Sequence, residues 1–261
     1  MVITARTQMV LHKYSVDEAM QFFKDAGYDG IEFCIEDHFF NARPDYIEDF
    51  FIEHTVEKAQ EIGIRIMSVG NHLGFVFDDL MFSHIKRTIS KVRKFGTDIM
   101  IIATPDKALH KVSDPDCYKK LKSRLNELLI IADSNGVKLA MEPEPPHMII
   151  GTADFLELCG ELKYDLKINF DIGHAFLTDL DIYESIKLLK DKIVHTHVED
   201  MRRGEHLHRL PGDGDMDLEK IFAALKNIGF TGALALDLYA HEYDKEAPGC
   251  ARQMRDILTK I

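Results

Sequence analysis

The sequence lacks long hydrophobic runs. Its longest uninterrupted apolar stretches, such as residues 99–103 and 128–132, have five residues, whereas a membrane-spanning helix needs roughly 20. Polar tracts, low-complexity segments and linker-like runs of Pro, Gly and Ser are also missing, and 46% of the residues are hydrophobic. These absences exclude a transmembrane helix and a disordered chain. They predict a single folded domain that spans residues 1–261.

Cysteine is scarce and scattered. The four cysteines are widely spaced and form no Cys-x-x-Cys pair, which excludes a zinc ribbon and a small disulfide framework. We expect them to be reduced, structural thiols. The first residues also lack the charged-then-apolar pattern of a secretory signal, so the sequence predicts a cytoplasmic protein.

Basic residues are fewer than acidic residues. The chain has 32 basic and 44 acidic side chains, which gives a formal net charge of −12. This balance disfavours binding to a phosphate backbone unless a local basic patch overrides it, and we expect neither nucleic acid nor a membrane as a partner. Histidine, by contrast, is plentiful at 13 residues. A surplus of imidazoles and carboxylates is what a metal enzyme needs, although an acidic protein without a metal also has one.

Short apolar runs alternate with amphipathic segments along the whole chain. The runs are rich in Ile, Val and Leu, which is typical of strands covered on both faces. The predicted strands are residues 2–6, 30–35, 64–69, 98–103, 137–142, 167–171, 193–198 and 233–238. The predicted helices include residues 16–26, 46–62, 79–95, 116–135, 182–189, 218–228 and 247–261. Five helices end at a glycine, which readily adopts the left-handed conformation of a helix C-cap: Gly27, Gly63, Gly96, Gly136 and Gly229.

Eight strands that alternate with helices make either a closed barrel or an open doubly wound sheet, because right-handed crossovers build both. The Gly-x-Gly-x-x-Gly motif of dinucleotide-binding sheets is missing after the first strand. A length of 261 residues also suits a barrel of one domain. We therefore predict an α/β fold, a single (β/α)8 TIM barrel.

Each of the last four strands carries a carboxylate or an imidazole near its carboxyl end, namely Glu142, Asp171, His197 and Asp237. In a TIM barrel these strand ends converge on one mouth. Because unpaired charges within apolar sequence are costly, three carboxylates and one imidazole need a positive partner. The set predicts one divalent metal ion. Its oxygen-rich chemistry favours Mn²⁺, with Mg²⁺, Co²⁺ and Zn²⁺ as alternatives.

A simpler interpretation exists for any one of these acids, since an Asp at a strand end is often a helix N-cap. The N-cap interpretation is weaker for all four residues together, because they occur at the ends of four successive strands. His195 faces the same side of its strand as His197 but lies deeper, and we expect a hydrogen-bonded interior histidine there rather than a ligand. Among the earlier strands, Glu32 and Glu36 flank the second, and His72 follows the third as a candidate substrate contact.

Four motifs carry a family resemblance: Leu139-Ala-Met-Glu142-Pro-Glu144-Pro, Phe170-Asp171-Ile-Gly-His174, His195-Thr-His197-Val-Glu-Asp200 and His208-Arg-Leu-Pro211-Gly-Asp-Gly214-Asp-Met-Asp217. They resemble motifs of the xylose isomerase-like TIM barrels. That superfamily holds sugar and sugar phosphate isomerases and epimerases, together with the endonuclease IV repair enzymes. The resemblance covers essentially the whole chain and is specific between Val137 and Tyr239.

The resemblance implies that the four strand-end residues named above bind the metal. The acid of the eighth strand is usually a glutamate in the epimerase branch, whereas this chain has Asp237, which is one methylene shorter. The second strand-five glutamate of that branch falls on Met148 here. Either Glu144 or His147 would then take over its function.

The resemblance also implies that His174 and Arg203, or the adjacent Arg202, hold substrate oxygens. The alternatives are a surface histidine and a solvated basic pair. In the endonuclease branch, two residues with the spacing of His206 and His208 bind a further zinc. The fourth strand ends in Ala-Thr-Pro without the histidine that a trinuclear zinc site needs, which favours a single metal. The predicted substrate contacts are His72, Glu144, His174, Arg203 and His208.

The reaction implied by such a site is proton transfer next to a carbonyl, through a metal-stabilised enediolate. We predict an isomerase or epimerase of a sugar, sugar phosphate or inosose, with Glu142, Asp237 and His174 as catalytic residues. Glu142 would act as ligand and acid/base, and His174 would polarise the substrate. The alternative is a dehydratase of a keto-sugar or inosose, followed by a repair nuclease or a non-catalytic sugar-binding barrel. We expect a sugar or polyol-derived ketone as substrate and a homodimer or homotetramer.

Overall fold

A closed barrel of eight parallel strands forms the centre of the molecule. The computed structural model describes residues 1–35, 47–105, 114–238 and 242–261. In chain order the barrel's strands are β1 (Val2–Arg6), β2 (Gly30–Cys34), β3 (Arg65–Gly70), β4 (Ile99–Ala103), β5 (Lys138–Glu142), β6 (Lys167–Asp171), β7 (Ile193–Val198) and β10 (Ala233–Leu236), while β8 (Asp200–Arg202) and β9 (Glu205–Arg209) form a separate two-stranded sheet. The barrel strands follow one another in the order β1, β10, β7, β6, β5, β4, β3, β2. The predicted TIM barrel is confirmed.

Helices surround the barrel. In the described part of the chain they are α1 (Val16–Asp25), α2 (Asp49–Ile62), α3 (Asp79–Ile89), α4 (Asp114–Ser134), α5 (Thr152–Glu161), α6 (Ile172–Thr178), α7 (Ile182–Leu188), α8 (Leu218–Asn227) and α9 (Tyr243–Lys260). None of the described helices is both long and apolar enough to cross a membrane. The five glycines predicted at helix ends all have positive φ, between 63° and 95°, as the left-handed cap requires.

The predicted helix at residues 79–95 is divided in two. Helix α3 ends at Ile89, and a 3₁₀ turn follows at Val92–Phe95. Thr88 and Ser90 donate their hydroxyl groups to the carbonyl oxygens of His84 and Lys86, four residues earlier. Such side-chain bonds compete with the regular helical ladder and often bend a helix.

Three features have no counterpart among the predicted ranges: helix α5, the short helix α6, and a hairpin of β8 (Asp200–Arg202) with β9 (Glu205–Arg209). Asp200 holds the segment that follows the hairpin, because its carboxylate accepts hydrogen bonds from the backbone amides of Gly212 and Met216 at 2.9 and 3.1 Å. A Cβ atom at Gly214 would lie 2.1 Å from Asp200 Oδ1. The Pro-Gly-Asp-Gly motif is therefore the backbone cradle of a buried carboxylate.

All four cysteines are free thiols, as expected. Two predicted positions lie outside the described residues, because residues 36–46 are not described. They are Glu36, which flanks the second strand, and Tyr46, the first residue of the predicted second helix.

Candidate metal centre

The four strand-end residues predicted as metal ligands lie together at the carboxyl end of the barrel. Glu142 ends β5, Asp171 ends β6, His197 lies in β7 and Asp237 directly follows β10. One side-chain ligand atom from each of them lies within 4.8 Å of the others, and all four side chains are buried. Sheet register produces this arrangement, because Asp171 pairs directly with His197 in the parallel ladder.

Two of the four side chains have a buried carboxylate oxygen without a hydrogen-bond partner, Asp171 Oδ2 and Asp237 Oδ1, and these two oxygens and Glu142 all lie within 4 Å of His197 Nδ1 or share its ligand-atom cluster. Buried polar atoms are nearly always paired, and a partnerless carboxylate oxygen is particularly costly. Because these atoms converge on one small volume, a cation fits the centre. The donor set of oxygens and one imidazole nitrogen suits a divalent ion.

Glu32 on β2 fixes the orientation of His197. Its Oε2 lies 3.0 Å from His197 Nε2. Burial alone would raise the pKa of Glu32, but His197 and Arg6 lower this pKa well below its usual range, so Glu32 is an ionised acceptor. His197 therefore donates from Nε2 and presents Nδ1 to the other three side chains. A carboxylate behind a ligating imidazole is a frequent second layer of metal sites.

His197 carries a proton where the metal would bind. Its Nδ1 lies 3.0 Å from Glu142 Oε2. Burial disfavours the imidazolium, but Glu142 and Glu32 outweigh burial and raise the pKa of His197 well above its usual value. A metal ion must displace this proton before it can coordinate Nδ1.

Glu142 is held as a carboxylate. Its Oε2 accepts hydrogen bonds from His72 Nε2 and Asn169 Nδ2, both at 3.0 Å. Burial opposes ionisation, but His197 and His72 lower the pKa of Glu142 well below its usual range. These contacts suit a permanently charged ligand better than a residue that exchanges protons.

Glu144 has the opposite character. Burial, followed by the charges of Glu142 and Asp171, raises the pKa of Glu144 to about 9. Its side chain is 27% exposed, and Oε2 lies 3.2 Å from His147 Nδ1. Met148, which occupies the position of the second strand-five glutamate of the epimerase branch, is buried. Of the two residues proposed to replace that glutamate, Glu144 is therefore a protonatable acid at the edge of the centre, with His147 beside it.

His174, His206 and His208 form a second histidine-rich cluster next to the first. Their ring nitrogens also offer ligand atoms within 4.8 Å of one another. His174 lies on α6 and is buried rather than on the surface; its Nδ1 lies 3.2 Å from the Pro143 carbonyl oxygen, and its Nε2 has no hydrogen-bond partner. His208 Nδ1 donates to the Asp237 carbonyl oxygen at 2.8 Å. Burial, followed by the neighbouring His174, lowers the pKa of His206 to about 4.

The two arginines after β7 lie apart from both clusters. Both are exposed on the β8–β9 hairpin. The Arg203 guanidinium lies 3.9 Å from the centre of the Phe176 ring, and Nη1 donates to the Phe176 carbonyl oxygen. The structure therefore brings together the predicted ligands, His72, Glu144, His174 and His208, but not Arg203.

His195 is a hydrogen-bonded interior residue, as expected. It is fully buried, with Nε2 2.9 Å from Ser68 Oγ and Nδ1 2.9 Å from Asn169 Oδ1. Burial lowers its pKa to about 3, so the ring is neutral.

Arg6 and Asn169 are the residues of this centre that sequence reasoning missed, and Glu32 was given too little weight. Arg6 is buried at the end of β1, and Nη1 lies 2.8 Å from Asp237 Oδ2. The same sequence pattern that indicated the strand-end residues of the last four strands applies to Arg6, since it is a charged residue at the end of an apolar strand. Asn169 lies in β6 two residues before Asp171, on the same side of the strand.

The fold and this cluster define a class, a (β/α)8 barrel with a metal-capable centre at the carboxyl ends of its strands. The profile of the family described as “Xylose isomerase-like TIM barrel” matches residues 20–261. The chain belongs to this family.

Individual relatives are more distant. The chain is 27% identical over 138 residues to an inosose dehydratase of Clostridium perfringens, an alignment that covers 46% of each chain. It therefore spans less than half the length of that relative. It is 24% identical over 249 residues to an inosose isomerase of Bacillus velezensis, which covers 90% of this chain and 87% of the isomerase. The solved structure of the IolI protein with a bound zinc atom superposes with a TM-score of 0.82 at 22% identity, covering 100% of this chain and 99% of that one. At this identity the superposition shows a common fold.

Proposed function

We propose that this protein is a divalent-metal-dependent isomerase or epimerase of a sugar, sugar phosphate or inosose. The observation that carries the proposal is the convergence of four buried ligand atoms from Glu142, Asp171, His197 and Asp237 within 4.8 Å of one another. Two of these side chains, Asp171 and Asp237, have a carboxylate oxygen without a hydrogen-bond partner. Relatives named as inosose isomerase and as L-ribulose-5-phosphate 3-epimerase support the substrate class.

Glu142, Asp171, His197 and Asp237 would hold one divalent ion. A bound divalent cation would polarise a substrate carbonyl and make the neighbouring C–H bond more acidic. Three carboxylates and one imidazole favour Mn²⁺, with Mg²⁺, Co²⁺ and Zn²⁺ as alternatives; the zinc in the similar IolI structure keeps Zn²⁺ in consideration.

As the acid/base residue, the contacts favour Glu144, which was predicted as a substrate contact, over the predicted catalytic residues Glu142 and Asp237. Glu142 already accepts hydrogen bonds from His72 and Asn169, and Asp237 forms an ion pair with Arg6. Burial, followed by the charges of Glu142 and Asp171, raises the pKa of Glu144 to about 9. A cation held by Glu142 and Asp171 would offset their negative charge and lower this pKa, so that Glu144 could take a proton from a substrate carbon as a carboxylate and return it as a carboxylic acid. His174 Nε2, buried and unpaired, would hold a substrate oxygen.

Deuterium uptake tests the proposal. Ketoses and inososes are incubated in D₂O with enzyme stripped by EDTA, and with the same enzyme reloaded with Mn²⁺, and NMR follows the C–H signal next to the carbonyl. We expect exchange and a new isomer with the reloaded enzyme, and neither with the stripped enzyme. Equal exchange by stripped and reloaded enzyme would refute metal dependence.

A dehydratase is the second candidate, since a curated relative is an inosose dehydratase. The same NMR samples separate the two functions, because a dehydratase yields a product that has lost one molecule of water. The number of bound metal ions per chain separates both from a trinuclear endonuclease. A barrel that binds sugar without turnover would keep its ligand affinity in the Glu142→Gln variant.

The homodimeric or homotetrameric state and the cytoplasmic location stay predictions.

A further inference from the structure

Arg6 is a buried cation at the end of β1, next to the candidate metal centre. Its side chain is 2% exposed. Nη1 donates to Asp237 Oδ2 at 2.8 Å, Nε donates to Glu32 Oε1 at 2.9 Å, and Nη2 lies 2.9 Å from His72 Nδ1. One guanidinium group thus joins strands β1, β2 and the end of β10 with the loop after β3.

Each of these three contacts leads to a different metal ligand. Asp237 is itself one of the four. Glu32 holds His197, with Oε2 3.0 Å from Nε2. His72 holds Glu142, with Nε2 3.0 Å from Oε2. Arg6 therefore touches one ligand directly and is separated by a single side chain from two more.

Arg6 also determines which nitrogen of His72 carries the proton. An arginine donates hydrogen bonds and accepts none, so His72 Nδ1 must be the acceptor of the contact with Nη2. Nε2 of His72 is then the nitrogen that donates to Glu142 Oε2. Both ring nitrogens are thereby engaged, and His72 presents Glu142 in one orientation.

We propose that Arg6 is the positioning residue of the metal centre, which holds Asp237, His197 and Glu142 in place before the ion binds. This inference rests on the proposed metal site. The planar fork of the guanidinium group suits the task, because its donors point in fixed directions. Groups behind the ligands commonly set metal affinity in this way.

The positive charge of Arg6 acts against a second cation nearby, and this effect opposes the positioning effect. Glu32, however, lies 2.9 Å from Arg6 Nε and is not one of the four ligands. The charges of Arg6 and Glu32 nearly cancel at the metal position, so most of the repulsion between Arg6 and a bound cation is removed. We therefore expect the positioning effect to decide the metal affinity.

The test compares Arg6→Lys and Arg6→Met with the wild-type protein. Calorimetry measures the dissociation constant for Mn²⁺, and visible absorption of the Co²⁺-loaded proteins reports the coordination geometry. Arg255→Met is the matched control, because Arg255 forms an ion pair with Asp29, which precedes β2 at the opposite end of the barrel. We expect both Arg6 variants to bind Mn²⁺ at least ~tenfold more weakly, with altered Co²⁺ spectra, and the control to match the wild type.

Several results would overturn the inference. If charge repulsion dominates, Arg6→Met binds Mn²⁺ more tightly and Arg6→Lys is unchanged. If Arg6 only stabilises the fold, both variants lower the unfolding temperature while the dissociation constant and Co²⁺ spectrum stay as in the wild type. Should Arg6→Met fail to fold, Arg6→Lys decides alone, since it keeps the charge and loses the fork. A wild-type protein that binds no divalent ion refutes the metal site itself and this inference with it.

Discussion

Glu142 and Glu144 lie two residues apart, and their surroundings give them opposite proton affinities. Two hydrogen-bond donors hold Glu142 as a carboxylate, whereas burial beside other carboxylates raises the pKa of Glu144 to about 9. Two acids with such different environments are suited to different tasks: Glu142 to bind the metal and Glu144 to carry the proton.

The variants Glu142→Gln and Glu144→Gln should therefore fail in different ways. Glu142→Gln removes a charged ligand, so we expect Mn²⁺ binding to weaken by at least ~tenfold and turnover to be lost with it. Glu144→Gln keeps the ligands, so we expect unchanged Mn²⁺ affinity and a loss of deuterium exchange of ~10²-fold or more. Calorimetry and NMR measure the two quantities on the same samples. Normal exchange by Glu144→Gln would return the acid/base assignment to Glu142.

Metal affinity should depend on pH through His197. The pKa of His197 is raised, so its Nδ1 proton is held at neutral pH and must leave when the metal binds. The apparent affinity then rises with pH below this pKa, by about tenfold per pH unit for each proton released, and falls as pH falls. Titrations with Mn²⁺ between about pH 6 and pH 8, in buffers of different ionisation enthalpy, count the protons. A flat profile without proton release would contradict this description of His197.

The four candidate ligands could be predicted individually because each is an acid or an imidazole at or near the carboxyl end of an apolar strand. Their partners could not. Arg6 and Asp237 are separated by 231 residues, and only closure of the barrel between β1 and β10 makes them neighbours. Asp171 also satisfies the simpler interpretation, because Oδ1 caps α6 through the His174 amide at 2.7 Å while Oδ2 faces the cluster.

At the level of elements, helix α6 links the barrel to the second histidine cluster. It begins directly after Asp171 and carries His174. Its seven residues include little helical periodicity, and for that reason it was not predicted. The β8–β9 hairpin was not predicted either, since its strands Asp200–Arg202 and Glu205–Arg209 are short and carry no alternating apolar pattern.

Gly173→Ala tests how closely α6 is fitted to the barrel. A Cβ atom at Gly173 would lie 1.8 Å from Glu199 Oε1 and 2.7 Å from Met201 Cε. Either these two fully buried side chains or α6 itself, with Asp171 and His174, would have to move. We expect the free energy of unfolding to fall by about 1–3 kcal/mol and Mn²⁺ affinity to fall as well.

Gly160→Ala is the control for that substitution. Gly160 lies in α5, and a Cβ atom there has no neighbour within 4 Å. Alanine favours a helix over glycine by about 0.5–1 kcal/mol, so this variant should unfold at an equal or higher urea concentration than the wild type. If Gly173→Ala behaves like Gly160→Ala, α6 is not tightly fitted to the centre.

For the whole molecule, the sequence was a reliable guide to architecture. Repeated alternation of strand and helix, with glycine at helix ends, predicted the barrel because each signal is local and recurs along the chain. Strand boundaries agree within a residue or two: the first, sixth and seventh strands match fully, and the eighth ends at Leu236 rather than at 238. Closure of the barrel then brings distant strand ends together, and the metal centre is its consequence.

A diffraction experiment on Mn²⁺-loaded crystals, at a wavelength where manganese scatters anomalously, tests the proposed four-ligand metal site. We expect one anomalous peak per chain, in contact with Glu142, Asp171, His197 and Asp237. A map without a peak among these four residues, or with a peak held only by His174, His206 and His208, would contradict it.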